Sequence, residues 1–411
     1  MNICLLCYRG KPNCGGQGVY IYYLSRELLR LGHTVHVISG PPYPVVEEGV
    51  VLHRLPSLNL YESTRRFPFD FPKKPTPLNL YEYGDVALGG FPEPFTFSVR
   101  AFMKLRELQP IYKFDIVHDN QGLGYGLLWI KRFLKIPVVA TIHHPVTVDR
   151  DVDIASAKNL YWKLRLKRWY SFIRMQGYVA RRMDRIISVS NAAAADTSRA
   201  FGVPKEKTRV VYNGTDETLF RPDQSAQKEP NSLITVNSAD SPMKGVGYLL
   251  EALSLVRNGI QPKLTIVGSP IPGGRSETLI RRHHLQDIVT FTGRIDDREL
   301  VARYSASEVA VVPSLYEGFG LPATEAMACG LPVIVSRAGA LPEVIGTDSE
   351  AGLSVPPADP GALATAIKLL LTDPHLRKRM GEAGRRRVEN HFTWRRAAEN
   401  TVAVYEEMVR C

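Results

Sequence analysis

This 411-residue sequence predicts an α/β fold of two doubly wound parallel-sheet domains facing a central cleft. Three observations carry that reading. The chain opens on a strand, a glycine loop, a helix and a strand. A second series of apolar strands and periodic helices begins at Leu233. A polar stretch with two prolines, Phe220 to Asn231, separates the two series and reads as a linker. The length suits two to three domains at roughly 100–200 residues each.

In the first series, Ile3 to Cys7 is a short apolar run, followed by the loop Gly15-Gly16-Gln17-Gly18. Ile21, Leu24, Leu28 and Leu31 recur at spacings that form one helix face. Gly32 stops that helix, and Thr34 to Ser39 is β-branched and apolar. Such βαβ units require parallel strands with right-handed crossovers. Residues 41–94, rich in proline and aromatics, read as an insertion of loops and short elements. Phe114 to Val117, Pro137 to Ile142 and Arg185 to Val189 resume the strand pattern. In the second series, strands are expected at Leu233 to Val236, Lys263 to Val267, Ile288 to Phe291, Val309 to Val312 and Pro332 to Ser336. Helices are expected at Gly247 to Arg257, Ala323 to Cys329, Ala362 to Leu371 and Pro374 to Asn390. Open sheets of this kind bind ligands beyond the carboxyl ends of their strands.

The composition, 44% hydrophobic and 23% charged, is that of a soluble globular chain and excludes a disordered or strongly acidic one. A formal charge of +11 permits anionic partners, including phosphorylated substrates, an anionic membrane surface or nucleic acid. No apolar run reaches the ~18–20 residues of a membrane span, and the opening lacks a signal-peptide pattern, so a cytoplasmic location is expected. Five cysteines suggest no disulfide framework. Cys4 and Cys7, three apart in a strand, face opposite ways and make a poor metal pair.

The segment from Pro313 to Gly330 carries the densest chemistry. It follows an apolar strand, and Gly318 and Gly320 let the backbone approach a ligand closely. Pro322 suits the first turn of a helix whose unpaired N–H groups favour an anion. Glu317 stands before the glycines and Glu325 one turn into the helix. Carboxylates repel phosphate, so these two suit sugar hydroxyls instead. A plain glycine turn capping a core helix, with two solvated glutamates, fits the same residues.

That segment resembles the paired-glutamate signature of retaining glycosyltransferases of the GT4 family, which have the GT-B fold of two Rossmann-like domains. The resemblance covers most of the chain. It includes the Gly15–Gly18 loop with Gly32-His33, Thr141-Ile142-His143, Asn213-Gly214-Thr215-Asp216, Phe291-Thr292-Gly293-Arg294, Pro332-Val333-Ile334 and Leu341-Pro342-Glu343-Val344. It implies an acceptor-side domain over 1–214, a donor domain over 215–392, and a last helix, 393–411, returning to the first domain with Trp394 as a packing anchor. Glu317 would contact the transferred sugar and Glu325 the ribose of the nucleotide. The backbone of Gly318, Phe319 and Gly320 would hold sugar hydroxyls, and Leu321 would meet the diphosphate. Gly15 and Gly16 would close over the diphosphate, His143 would stand near the reacting centre, and Arg294 near the nucleobase. The donor would be a UDP- or GDP-linked sugar and the acceptor a sugar or a lipid-linked glycan. No cofactor is implied. Family metal independence fits a sequence with no Asp-x-Asp element where an ion would bridge the phosphates.

Lys244 stands just before a helix, where the dipole disfavours a cation, so a ligand-directed role in neutralising the diphosphate is favoured. The family carries Gly-Arg five residues earlier, whereas this chain has Ser238-Ala239. The stretch 158–185 holds nine Lys or Arg against a single acid, Asp184, with six aromatics interleaved. It reads as a solvated basic face or as a surface for an anionic membrane, with no nucleic-acid motif beside it. The reading that unites these features is a metal-independent, retaining hexosyltransferase with a front-face mechanism. A nucleotide-sugar epimerase and a non-catalytic nucleotide-sugar or membrane-surface binder are the alternatives.

Overall fold

The computed structural model describes residues 1–10, 16–61, 75–157, 159–223, 225–236, 241–257, 259–346 and 350–409. Gly15, Ser238, Ala239 and Lys158 lie outside the described residues. The chain packs as two compact units. One comprises Met1–Val189, Ala193–Val211 and Ala397–Cys411; the other comprises Ser190–Ala192 and Tyr212–Arg396.

The first unit holds β1 (Asn2–Cys7), β2 (Thr34–Ser39), β3 (Val51–Arg54), β4 (Ile116–Asn120), β5 (Val138–Ile142), β6 (Arg185–Ser188) and β7 (Thr208–Val210). They form one sheet in the order β3-β2-β1-β4-β5-β6-β7, every neighbouring pair parallel. β4 and β5 are buried along their whole length, as expected of strands covered by helices on both faces. Leu6, Ile38, Phe97, Leu105, Val138 and Ile186 belong to its core.

A 20-residue helix, Glu93–Tyr112, occupies a stretch without an expected helix. Pro94 sits in its first turn, where the missing N–H costs no bond, so a residue that reads as a loop marker is a helix start. Phe97, Ala101, Leu105 and Leu108 form its buried face.

The second unit holds β8 (Ser232–Val236), β9 (Lys263–Val267), β10 (Val289–Gly293), β11 (Val309–Val312), β12 (Val333–Ser336) and β13 (Gly352–Val355). Their order is β10-β9-β8-β11-β12-β13, again all parallel. Leu253, Ile266, Val311, Ile334 and Ile367 are among its core residues. Gly214 belongs here for a steric reason: a Cβ on it would lie 2.2 Å from the backbone nitrogen of Trp394. Beside it, the Thr215 N–H donates to the Phe392 carbonyl at 2.7 Å.

In each sheet the chain winds outward from one central strand and then resumes on its other side. This places a topological switch point between β1 and β4, and another between β8 and β11. The loops that leave the carboxyl ends of such a pair diverge and open a crevice for ligand.

Within the first unit, a buried polar chain runs from Tyr405 to Tyr20. The Tyr405 hydroxyl bonds His118 Nδ1, His118 Nε2 meets Thr141 Oγ1 at 2.7 Å, and Thr141 Oγ1 meets the Tyr20 hydroxyl at 3.0 Å. Burial pushes the His118 imidazole down to about 3, so the ring is neutral and uses one nitrogen as donor and one as acceptor. Tyr405→Phe would leave a buried ring nitrogen unpaired. We expect it to destabilise the protein by about 1–3 kcal/mol, seen as a lower denaturant midpoint. A midpoint equal to wild type would show that this bond contributes no net stability.

Candidate active site

The second unit's switch point gathers the polar groups. β8 leads to a short 3-10 turn, Pro242–Lys244, and Gly245 then opens the helix Val246–Val256. Gly245 has φ +68°, and a Cβ on it would lie 1.9 Å from the Pro313 carbonyl oxygen. Only glycine permits that approach. The Leu315 N–H donates to the Met243 carbonyl at 2.7 Å and ties the two loops together.

That approach delivers Lys244 to Glu317. Lys244 Nζ lies 2.7 Å from Glu317 Oε1, and Ser314 Oγ donates to the same oxygen at 2.9 Å. The Lys244 side chain is 33% exposed and that of Glu317 14%, so the pair is reachable by a ligand. The backbone of Glu317 is also held. Its carbonyl accepts from the Ala340 N–H at 2.9 Å, and a Cβ on Gly339 would lie 2.1 Å from it.

The glycine loop is braced from beneath. Ser190 Oγ donates to the Gly318 carbonyl at 2.7 Å. Phe319 turns its ring into the core against Tyr212 and Phe392 and is buried. Gly320, at φ +107°, turns the chain into the helix Leu321–Ala328, with Pro322 in its first turn. Glu325 lies half-buried in that helix, near Tyr304 and Asp297. Burial, and then the Asp297 charge, pushes its carboxyl up to about 7 against the opposing pull of the Tyr304 hydroxyl. Arg294 is exposed at the end of β10, two strands from β8 and thus roughly 10 Å away at the usual strand spacing.

In the first unit, His143 follows β5. Its Nε2 lies 2.7 Å from Asn120 Oδ1, while Asn120 Nδ2 donates to the Gln17 carbonyl at 3.1 Å. That second bond fixes the amide, so Nε2 carries the proton and Nδ1 is left as an acceptor. Burial, and then the neighbouring His144, pushes the His143 imidazole down to about 3 and keeps it neutral. The His143 N–H also donates to Gln121 Oε1 at 2.7 Å, and Tyr20 meets the ring edge to face at 4.9 Å. His144 pairs with Asp149 at 2.9 Å. Gly16 opens the helix Gly16–Arg30, and beyond its own helix no described residue crowds the place where a Cβ would stand.

Glu317 and Lys244 are therefore in direct contact, Gly318, Phe319, Gly320, Leu321 and Glu325 continue from them along the chain, and Arg294 follows the end of β10. Sequence reasoning gave no role to Ser314, Ser190, Asn120 or Gln121. A usable signal existed for Asn120 and Gln121, which are polar residues closing a buried strand beside a switch point.

Glu325 supplies a pH test. Its folded pKa lies above the ordinary carboxyl value, so the unfolded chain releases this proton first. Stability is then lost as pH rises from about 4.5 through about 7. Glu325→Gln is expected to gain on wild type across that interval, by up to about 3 kcal/mol at pH 8. Urea unfolding at pH 4.5 and 8 measures it, and a difference that does not change with pH would refute the assignment.

Comparison with known proteins agrees with this geometry. Residues 216–387 match the family described as glycosyl transferases group 1, and residues 14–219 match glycosyltransferase family 4. The chain is 45% identical over 412 residues to an MMP alpha-(1->4)-mannosyltransferase of Mycolicibacterium hassiacum, covering 100% of this chain and 98% of that protein. It is 28% identical over 410 residues to a glycogen synthase of Mycobacterium tuberculosis, covering 95% and 91%. Among solved structures, sucrose-phosphate synthase from Thermosynechococcus elongatus superimposes with a TM-score of 0.76 at 26% identity over 100% of both chains. Anabaena Alr3699/HepE in complex with UDP-glucose shares the fold at a TM-score of 0.71 and 18% identity, covering 99% and 100%. With two parallel-sheet units of the GT-B fold and both family matches in sequence, the chain belongs to glycosyltransferase family 4.

Proposed function

We propose that this glycosyltransferase moves a hexosyl group, best supported as α-mannosyl, from a UDP- or GDP-linked sugar to a hydroxyl of a saccharide or lipid-linked acceptor, with retention and without a metal ion. The observation that carries this is the ion pair between Lys244 and Glu317 at the β8/β11 switch point. A cation suited to a departing diphosphate stands beside an acid suited to sugar hydroxyls. The mannosyl assignment rests on the 45% identity to an alpha-mannosyltransferase.

In this reading Lys244 offsets the charge that develops on the leaving phosphate, an effect worth several kcal/mol in a dry site. Glu317 orients the transferred sugar, and the backbone of Gly318, Phe319 and Gly320 holds its hydroxyls. Leu321 N–H, at the start of its helix, meets the diphosphate. Glu325 bonds the ribose, and near neutral pH its carboxyl is poised to donate as well as accept. Arg294 serves the nucleobase, and Gly15 and Gly16 the diphosphate. Neutral His143 offers Nδ1 to a sugar hydroxyl. The departing phosphate oxygen takes the acceptor's proton as the new bond forms on the same face of the sugar.

No described helix is long and apolar enough to cross a membrane. The helix Leu160–Trp169 nevertheless leaves Leu160, Tyr161, Trp162 and Leu164 exposed beside Lys163, Arg165 and Lys167. That combination supports peripheral contact of 158–185 with an anionic membrane.

Two outcomes are expected. Glu317→Ala should lower turnover at least a hundredfold while keeping its melting temperature, read as nucleoside diphosphate released from GDP-mannose, UDP-glucose and UDP-N-acetylglucosamine with and without acceptor. Near-normal transfer would remove Glu317 from the mechanism, sugar conversion without acceptor would indicate an epimerase, and binding without turnover a non-catalytic binder. Separately, the protein should sediment with phosphatidylglycerol vesicles at low salt, and Trp162→Ser with Leu164→Ser should weaken this about tenfold. Equal recovery with and without vesicles would eliminate the membrane contact.

A further inference from the structure

We propose that Ser314 is the positioning residue that keeps Glu317 in place when Lys244 leaves it for the diphosphate, an inference that rests on the reading of the ion pair given above. Two donors share Glu317 Oε1, and they differ in kind. Lys244 reaches it at 2.7 Å from a flexible stem that is one-third exposed. Ser314 reaches it at 2.9 Å from a fully buried side chain with a single torsion.

A bound diphosphate brings more negative charge than one carboxylate and lies within reach of the same ammonium. Lys244 is drawn toward it, because a compact point charge on four methylenes follows the larger field. Glu317 then loses its counter-ion and at the same moment feels repulsion from the arriving phosphates. Its backbone cannot yield, because the Ala340 N–H holds its carbonyl and Gly339 packs against it. Only its side-chain torsions remain free, and the Ser314 hydroxyl is the bond that fixes them. The hydroxyl carries no charge, so the diphosphate has little power to pull it away.

The placement of Ser314 follows from the chain. It comes two residues after the end of β11, behind Pro313, whose carbonyl meets Gly245. The close approach that delivers Lys244 therefore also fixes the residue that takes over from it.

The test compares kcat and donor KM for Ser314→Ala and Ser314→Thr, each alone and combined with Glu317→Gln. Ser314→Ala removes one buried atom and should fold. We expect its kcat to fall about ten- to a hundredfold, since misplacing a reacting group by about 1 Å costs on that order. Donor KM and nucleoside diphosphate affinity should stay within about twofold of wild type, because base, ribose and phosphates are held elsewhere. Ser314→Thr should regain most of the kcat. In the Glu317→Gln background, Ser314→Ala should change kcat less than about twofold, since the two residues act as one unit.

Wild-type kcat in Ser314→Ala, a loss confined to KM, a Thr variant no better than Ala, or full additivity with Glu317→Gln would each overturn the proposal. Near-wild-type turnover by Glu317→Gln would instead overturn the underlying reading and take this inference with it. An inactive Glu317→Gln beside a fully active Ser314→Ala would overturn the positioning role alone.

Discussion

The approach of two backbones at Gly245 and Pro313 is the constraint on which the candidate site depends. It is possible only without a Cβ, and it places the turn after β8 directly against the loop after β11. The parallel sheet makes these two strands neighbours, and the glycine lets their loops touch. Without that approach Lys244 and Glu317 would be two separate surface charges. With it they form a half-sheltered ion pair.

Burial acts on Glu325 of the second unit and His143 of the first in opposite directions with one outcome. It pushes the Glu325 carboxyl up to about 7 and the His143 imidazole down to about 3, and in both cases favours the neutral form. A neutral imidazole keeps one nitrogen as an acceptor. Lys244 and Glu317 instead form an ion pair at 2.7 Å.

The first unit spends its polar residues differently. His118, Thr141, Tyr20 and Tyr405 form a closed internal chain that ties the C-terminal helix to the sheet. At the ends of the same strands, Asn120 closes β4, Gln121 and His143 follow β4 and β5, and His143 bonds both Asn120 and Gln121. His118 and Asn120, two residues apart in β4, point to one face of the sheet. The basic helix Leu160–Trp169 differs in leaving Leu160, Tyr161, Trp162 and Leu164 exposed.

Much was legible in the sequence because local pattern sufficed for it. Buried parallel strands read as unbroken apolar runs, as at Val309–Val312. Glycine and proline mark turns through their own backbone limits, so the loop from Glu317 to Pro322 and the turn at Lys244-Gly245 could be placed before any coordinates. The helix Glu93–Tyr112 was not legible, because Pro94 looks the same in a loop as in a first helical turn and only burial of Phe97, Ala101, Leu105 and Leu108 decides between them. Nor were the contacts of Ser314 and Asn120, since a serine three residues from a glutamate, or an asparagine ending a strand, acquires a partner only when the chain folds. The sequence by itself determined the fold class and the two series of strands, which are properties of period and residue type, and its motifs carried the family resemblance. Tertiary structure alone decided which groups touch and which are neutral, because contact and desolvation arise between segments that lie far apart along the chain.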